Sequence, residues 1–113
     1  MHIGVPAETR PGETRVAATA ETVTKLVKQG HSVTIETGAG VAAGQLDAAY
    51  TEAGATVGSR EEAFGAQIIF KVRPPDPEET RLIHEGGLLI GMLDPFDREG
   101  LGRLARRNLI AFA

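Results

Sequence analysis

The chain has 113 residues, 42% hydrophobic and 24% charged, which suits a single globular domain with a modest core. A net charge of −3 leaves no electrostatic footprint for nucleic acid, and the absence of cysteine excludes disulfides, thiolate catalysis and Cys-ligated metal. No run approaches the roughly 18 apolar residues of a membrane span, and "MHIGVPAETRPGE" lacks a basic-then-apolar leader, so the segment is expected to be cytoplasmic and not inserted in a membrane.

"HIGVP" opens as a strand. "AETVTKLVKQG" then sets Ala20, Val23, Leu26 and Val27 on one helical face, with Lys25, Lys28 and Gln29 opposite and Gly30 placed to end the helix. "HSVTIE" reads as the second strand. "QLDAAYTEAG" reads as a helix with Leu46, Ala49, Tyr50 and Ala53 spaced for one face, stopped by Gly54. A small β element falls at "ATV". Ser59 and Glu62 have capping-box spacing for a short helix, and "AQIIFKV" is a strong strand. In "DPEETRLI", Asp76 is the expected N-cap, Pro77 the first helical residue and Glu79 the capping-box partner. "GLLIGML" is a strand, "DREGLGRLARRN" a helix and "LIAFA" a last strand. Apolar strands separated by helices, with no hairpin turns, predict an α/β fold: a parallel sheet with helices on both faces, flavodoxin-like or Rossmann-like. Because the sequence stops on an apolar strand, it is expected to belong to a longer polypeptide.

The glycines of "TIETGAGVAAG", Gly38, Gly40 and Gly44, invite comparison with a dinucleotide fingerprint. Their spacing is G-x-G-x-x-x-G, they follow the second strand, and the helix starts after them. About 20 residues on, where a ribose-binding acid belongs, lies the turn and helix start "VGSREE". The reading is a strand-to-helix loop that needs positive φ angles, not a cofactor site.

In an open parallel sheet, ligands bind beyond the carboxyl ends of the strands. The loops there carry Arg10 and Arg15 among Glu8 and Glu13, then Lys71 and Arg73 in "KVRPPDP", then Asp94 and Asp97 in "MLDPFD". The arginines either grip a carboxylate or phosphate, or pair with neighbouring glutamates on the surface. His2, His31 and His84 lack metal-ligand spacing, and a packing or hydrogen-bonding role is expected for His31. Arg103, Arg106 and Arg107 read as a solvated helix end.

The segments "IGVPAETRPGETRVAAT", "LVKQGHSVTIETGAGVAAGQLDAAYTEAGATV" and "IIFKVRPP" closely resemble the N-terminal region shared by alanine dehydrogenases and the alpha subunit of proton-translocating NAD(P) transhydrogenase. The resemblance covers essentially the whole chain. It implies the N-terminal portion of a larger two-domain NAD(H)-binding unit, with the dinucleotide fingerprint past Ala113 and no cofactor-binding residue within 1–113. In alanine dehydrogenases an arginine of "E-x-R-V-A" holds the substrate carboxylate, and Arg15 matches it. The lysine of "K-V-K-E-P" that serves binding or proton chemistry is replaced here by Arg73, while Lys71 matches the preceding lysine. The acid/base histidine is replaced by Asp94. Arginine stays protonated, and an unshifted aspartate, with a pKa of about 4, is a poor acid at neutral pH.

The resemblance therefore favours the transhydrogenase branch, in which hydride passes between NADH and NADP+ without a protein acid or base. It implies NAD(H) in the full-length protein, NADP(H) on a partner beta component, a membrane proton channel, a homodimer, and a location in the cytoplasm or on the cytoplasmic face of the inner membrane. Arg15, Lys71, Arg73 and Asp94 become candidates for an interdomain cleft, none of them catalytic, and no metal is implied. The alternatives are an alanine-dehydrogenase-like oxidoreductase and a stand-alone, non-catalytic binding or assembly domain.

Overall fold

The computed structural model describes residues 1–91 and the backbone of 110–112. The elements run in the order β1 (His2–Val5), α1 (Ala20–Lys28), β2 (Ser32–Glu36), a 3-10 turn (Val41–Ala43), α2 (Asp47–Glu52), β3 (Thr56–Gly58), α3 (Arg60–Phe64), β4 (Ile68–Lys71), α4 (Pro77–Leu82), β5 (Leu88–Gly91) and β6 (Ile110–Phe112). The strands form one sheet in the order β3-β2-β1-β4-β5-β6, and every neighbouring pair is parallel. That is the Rossmann order rather than the flavodoxin one, with its switch point between β1 and β4. The helix expected at "DREGLGRLARRN", its three arginines, and Asp94 and Asp97 lie outside the described residues.

Strand alternation divides the core between the two faces of the sheet. Ile3, Val5, Val33, Ile35 and Ile68 pack with Val23 of α1 and Tyr50 of α2. Phe64, Ile69, Ile83 and Leu89 form a second cluster with α3 and its surroundings. Gly4 is needed for this arrangement, since a Cβ there would collide with the Ala63 carbonyl of α3.

Local signals account for the helix ends. Thr19 caps α1 through the Thr22 N–H, and Gly30 and Gly54 follow α1 and α2 with φ of 94° and 103°. Both capping boxes form: Ser59 with Glu62, and Asp76 with Glu79, the latter with Pro77 opening α4. One face assignment changes. Leu46 is not on the buried side of α2; it is the extended N-cap residue, 63% exposed, and the helix starts only at Asp47.

The glycine loop is a structural turn. Gly38 and Gly44 have φ of 78° and 79°, and a Cβ on Gly40 would lie 2.7 Å from the Tyr50 hydroxyl. The loop is stapled by Gly38 N–H to Asp47, by Ala20 N–H to the Gln45 side chain, and by the Tyr50 hydroxyl donating to Ala18 O at 2.6 Å. Burial, and then the Asp47 carboxylate, push the Tyr50 phenol up from its ordinary value.

Candidate functional site

The carboxyl ends of β1, β2 and β4 meet at the switch point, and charged side chains fill it. Lys71 ends the apolar run of β4, and its side chain is buried with its ammonium against Glu8 at 3.1 Å and Glu79 at 3.3 Å. Glu79 also takes Arg60 at 3.0 Å, and Arg60 reaches Glu36 at the end of β2 at 3.2 Å. Every one of these carboxylates also accepts a backbone N–H: Glu8 from Val72 and Arg73, Glu36 from Ala7, and Glu79 from Asp76. Burial acts against the Arg60 guanidinium, but Glu79 and Glu36 outweigh it and hold Arg60 above its ordinary value. Arg60 also lies over the Phe64 ring, 5.1 Å from its centre.

This network decides how the fold treats a dinucleotide. In a Rossmann sheet the acid at the end of β2 receives a ribose hydroxyl, and a glycine-rich β1–α1 turn receives the pyrophosphate. Here Glu36 is held by Ala7 N–H and Arg60, and the segment between β1 and α1 has Gly12 as its single glycine. The residues at the switch point bond to one another and do not fit a dinucleotide.

Beside the network, a cavity of about 430 Å³ opens at the ends of β4 and β5. One lip is Arg15, Val16 and Ala17, and the other is Phe70, Lys71, Val72, Ile90 and Gly91. Arg15 is half exposed at this lip, and Glu13 engages it through Nε at 2.9 Å and Nη2 at 2.7 Å. The Arg15 backbone N–H donates to the same carboxylate. Together these bonds hold the Glu13 carboxyl down at about 2.

The sequence candidates therefore separate. Arg15 and Lys71 both line the cavity, but the Lys71 ammonium is turned into the buried network. Arg73 is exposed, with its backbone N–H fixed by Glu8. Asp94 lies outside the described residues. Of the two readings of the loop arginines, local pairing with a glutamate is what Arg15 does, whereas Arg10 donates across to Pro74 O. Sequence reasoning missed the network, in particular the burial of Glu8 and Glu79. The available signal was a lysine that closes an apolar strand without a break. His31 lies near the N-terminal amine at 3.3 Å, and His2 contacts the hydroxyls of Ser32 and Thr34. Among the described residues no helix is long and apolar enough to cross a membrane.

The family model described as "Alanine dehydrogenase/PNT, N-terminal domain" matches residues 4–113. The chain is 40% identical over 110 residues to NAD(P) transhydrogenase subunit alpha of Cereibacter sphaeroides, covering 96% of this chain and 21% of that protein. A solved L-alanine dehydrogenase superposes with a TM-score of 0.97 at 40% identity, over all of this chain and 32% of the other. The transhydrogenase structure from Sinorhizobium meliloti superposes with a TM-score of 0.96 at 35% identity, over all of this chain and 34% of the other. The chain thus spans less than two thirds of these relatives, 21% of the first and 32% and 34% of the solved structures. Backbone similarity does not separate the two branches, but it agrees with the family match over nearly every residue: the chain belongs to the alanine dehydrogenase/PNT N-terminal domain family.

Proposed function

We propose that this domain is the N-terminal portion of the NAD(H)-binding component of an NAD(P) transhydrogenase, which transfers hydride between NADH and NADP+ coupled to proton translocation. One observation carries the choice of branch: no lysine ammonium is offered to the cavity. The chain has three lysines. Lys25 and Lys28 lie in the last turn of α1, and Lys71 is buried between Glu8 and Glu79. Arg73 takes the place of the exchangeable lysine, and a guanidinium does not exchange its proton near neutral pH as an amine can. Reductive amination of a keto acid needs proton delivery, whereas transfer between two nicotinamides needs the rings positioned and water excluded.

In this reading the cofactor is held mainly by a dinucleotide-binding domain elsewhere in the polypeptide. Arg15 and Arg73 face the cleft between the two domains, and neither of them is a catalytic residue. The partners are an NADP(H)-binding beta component and a membrane proton channel, the alpha component is a homodimer, and it sits in the cytoplasm or on the cytoplasmic face of the inner membrane.

The test uses the full-length polypeptide mixed with an NADP(H)-binding transhydrogenase component. Reduction of an NADP+ analogue by NADH, with no NADH oxidation on adding pyruvate and ammonia, is the expected outcome. Turnover of pyruvate and ammonia would place the protein with the alanine dehydrogenases instead.

A further inference from the structure

The loop between β2 and α2 presents apolar side chains to solvent from a fixed frame. Val41 is 57% exposed and Leu46 63%, two of the four large hydrophobic residues that stand exposed among the described residues. Ala42 and Ala43 between them are exposed as well. Residues 37–46 hold no charged side chain, in a chain that is 24% charged. Exposed apolar side chains with charge excluded around them make the composition of an interface core, not of a solvated loop.

The frame is rigid. Thr37 donates to Gly58 O through both its N–H and its hydroxyl, and Gly38 N–H donates to Asp47. The Gln45 side chain accepts from Ala20 N–H, and Ala43 and Gly44 close the 3-10 turn on Gly40 O and Val41 O. A loop already ordered loses little entropy when something docks on it. Leu46 supplies a second sign. It is the N-cap of α2 and makes no side-chain cap bond, where serine, threonine, asparagine or aspartate would satisfy a backbone N–H. Leucine there weakens the helix end and is not repaid by burial within the domain.

We infer that the exposed face of this loop, Val41 and Leu46 above all, docks against a second domain of the same polypeptide. Three observations choose that occupant. The loop leaves the carboxyl end of β2, the end of the parallel sheet at which the cavity opens. The chain covers 21%, 32% and 34% of the relatives compared, so most of each of those polypeptides lies outside this domain. The patch is also small. Two large side chains and two alanines fall well short of the roughly 800 Å² per partner of a stable complex between separate chains. A tethered domain meets the same patch at high effective concentration and needs far less area. The inference rests on the reading of this domain as the N-terminal portion of a longer polypeptide, and not on the choice between the two branches.

The experiment uses the full-length polypeptide. Leu46→p-benzoylphenylalanine is irradiated, and the products are sized and mapped by mass spectrometry. The expected product is a cross-link within one chain, from position 46 to residues beyond 113, in a yield unchanged by dilution. In a second variant, Val41→Cys, the new thiol should react at least about tenfold more slowly in the native polypeptide than in urea. Adding Leu46→Ser, which supplies the missing cap, should speed that labelling about tenfold, the low end of what burying one leucine supports. A product of doubled mass would assign the patch to a second copy, and one formed only with the beta component would assign it to that partner; either overturns the inference and leaves the functional reading standing. It is equally overturned if the Val41→Cys thiol is unprotected, or if Leu46→Ser raises the unfolding midpoint and leaves the labelling rate unchanged. Turnover of pyruvate and ammonia by the same preparation would sink the transhydrogenase reading and leave the cross-link result intact.

Discussion

Glu13 and Arg15 are two positions apart, and the Arg15 side chain folds back over its neighbour's carboxylate. The guanidinium bonds, followed by the Arg15 backbone N–H, depress the Glu13 pKa from 4.5 to about 2. A depressed carboxylate contributes stability that is present above its unfolded pKa and lost as pH falls through the folded one. The contribution should therefore fade between about 4.5 and about 2. In Arg15→Gln, the Glu13 carboxyl followed by NMR should titrate nearer its ordinary value, with the retained backbone N–H keeping part of the depression; an unchanged titration would show that the Arg15 guanidinium is not the main cause. Lys71 makes the opposite case, a charge whose environment is dry. Lys71→Met leaves Glu8 and Glu79 buried together without their shared cation, and should cost about 3–5 kcal/mol in denaturant unfolding. A loss below about 1 kcal/mol, the surface-pair range, would contradict the burial described here. At this scale the sequence was least legible. Arg15 with Glu13 is a local pair, one of the two options open to a loop arginine among glutamates. Lys71 and Glu8 are separated by 63 positions, and no local pattern announces that they meet.

Elements were more legible, because their signals are short-range. The two capping boxes, Pro77 at the start of α4, and the glycines after α1 and α2 all act within one turn of the residues they fix. Leu46 shows the limit of that approach. Apolar spacing extends the α2 face back to it, but the backbone at Leu46 is extended and the loop before it is pinned by Asp47 and Gln45. Those long-range bonds override periodicity. Tyr50 ties α2 to the segment leading into α1, and its hydroxyl leaves the Ala18 carbonyl satisfied. Tyr50→Phe should cost about 1–3 kcal/mol, the cost of an unsatisfied buried acceptor, measured as a shift in the unfolding midpoint without change of slope. No shift would mean that water replaces the bond at no cost.

For the whole molecule, alternating apolar strands and amphipathic helices made the covered parallel sheet readable, and the motif resemblance pointed to the family. The order β3-β2-β1-β4-β5-β6 was not readable, because order depends on which strands pair across the fold. It carries the main functional consequence, since it identifies a Rossmann switch point and shows it filled by the chain's own charges. In the proposed reading, a sheet of this order with a self-occupied crevice forms one wall of a cleft, and the dinucleotide is held chiefly by another domain. The family's two branches share that wall, so the chemistry has to be decided by where hydride goes. The most direct measurement supplies NADH deuterated at the transferring C4 position to the full-length polypeptide and its NADP(H)-binding component, with pyruvate and ammonia also present. Deuterium is expected in the reduced NADP analogue and not in alanine. Deuterium at C2 of alanine, with none in the analogue, would contradict it.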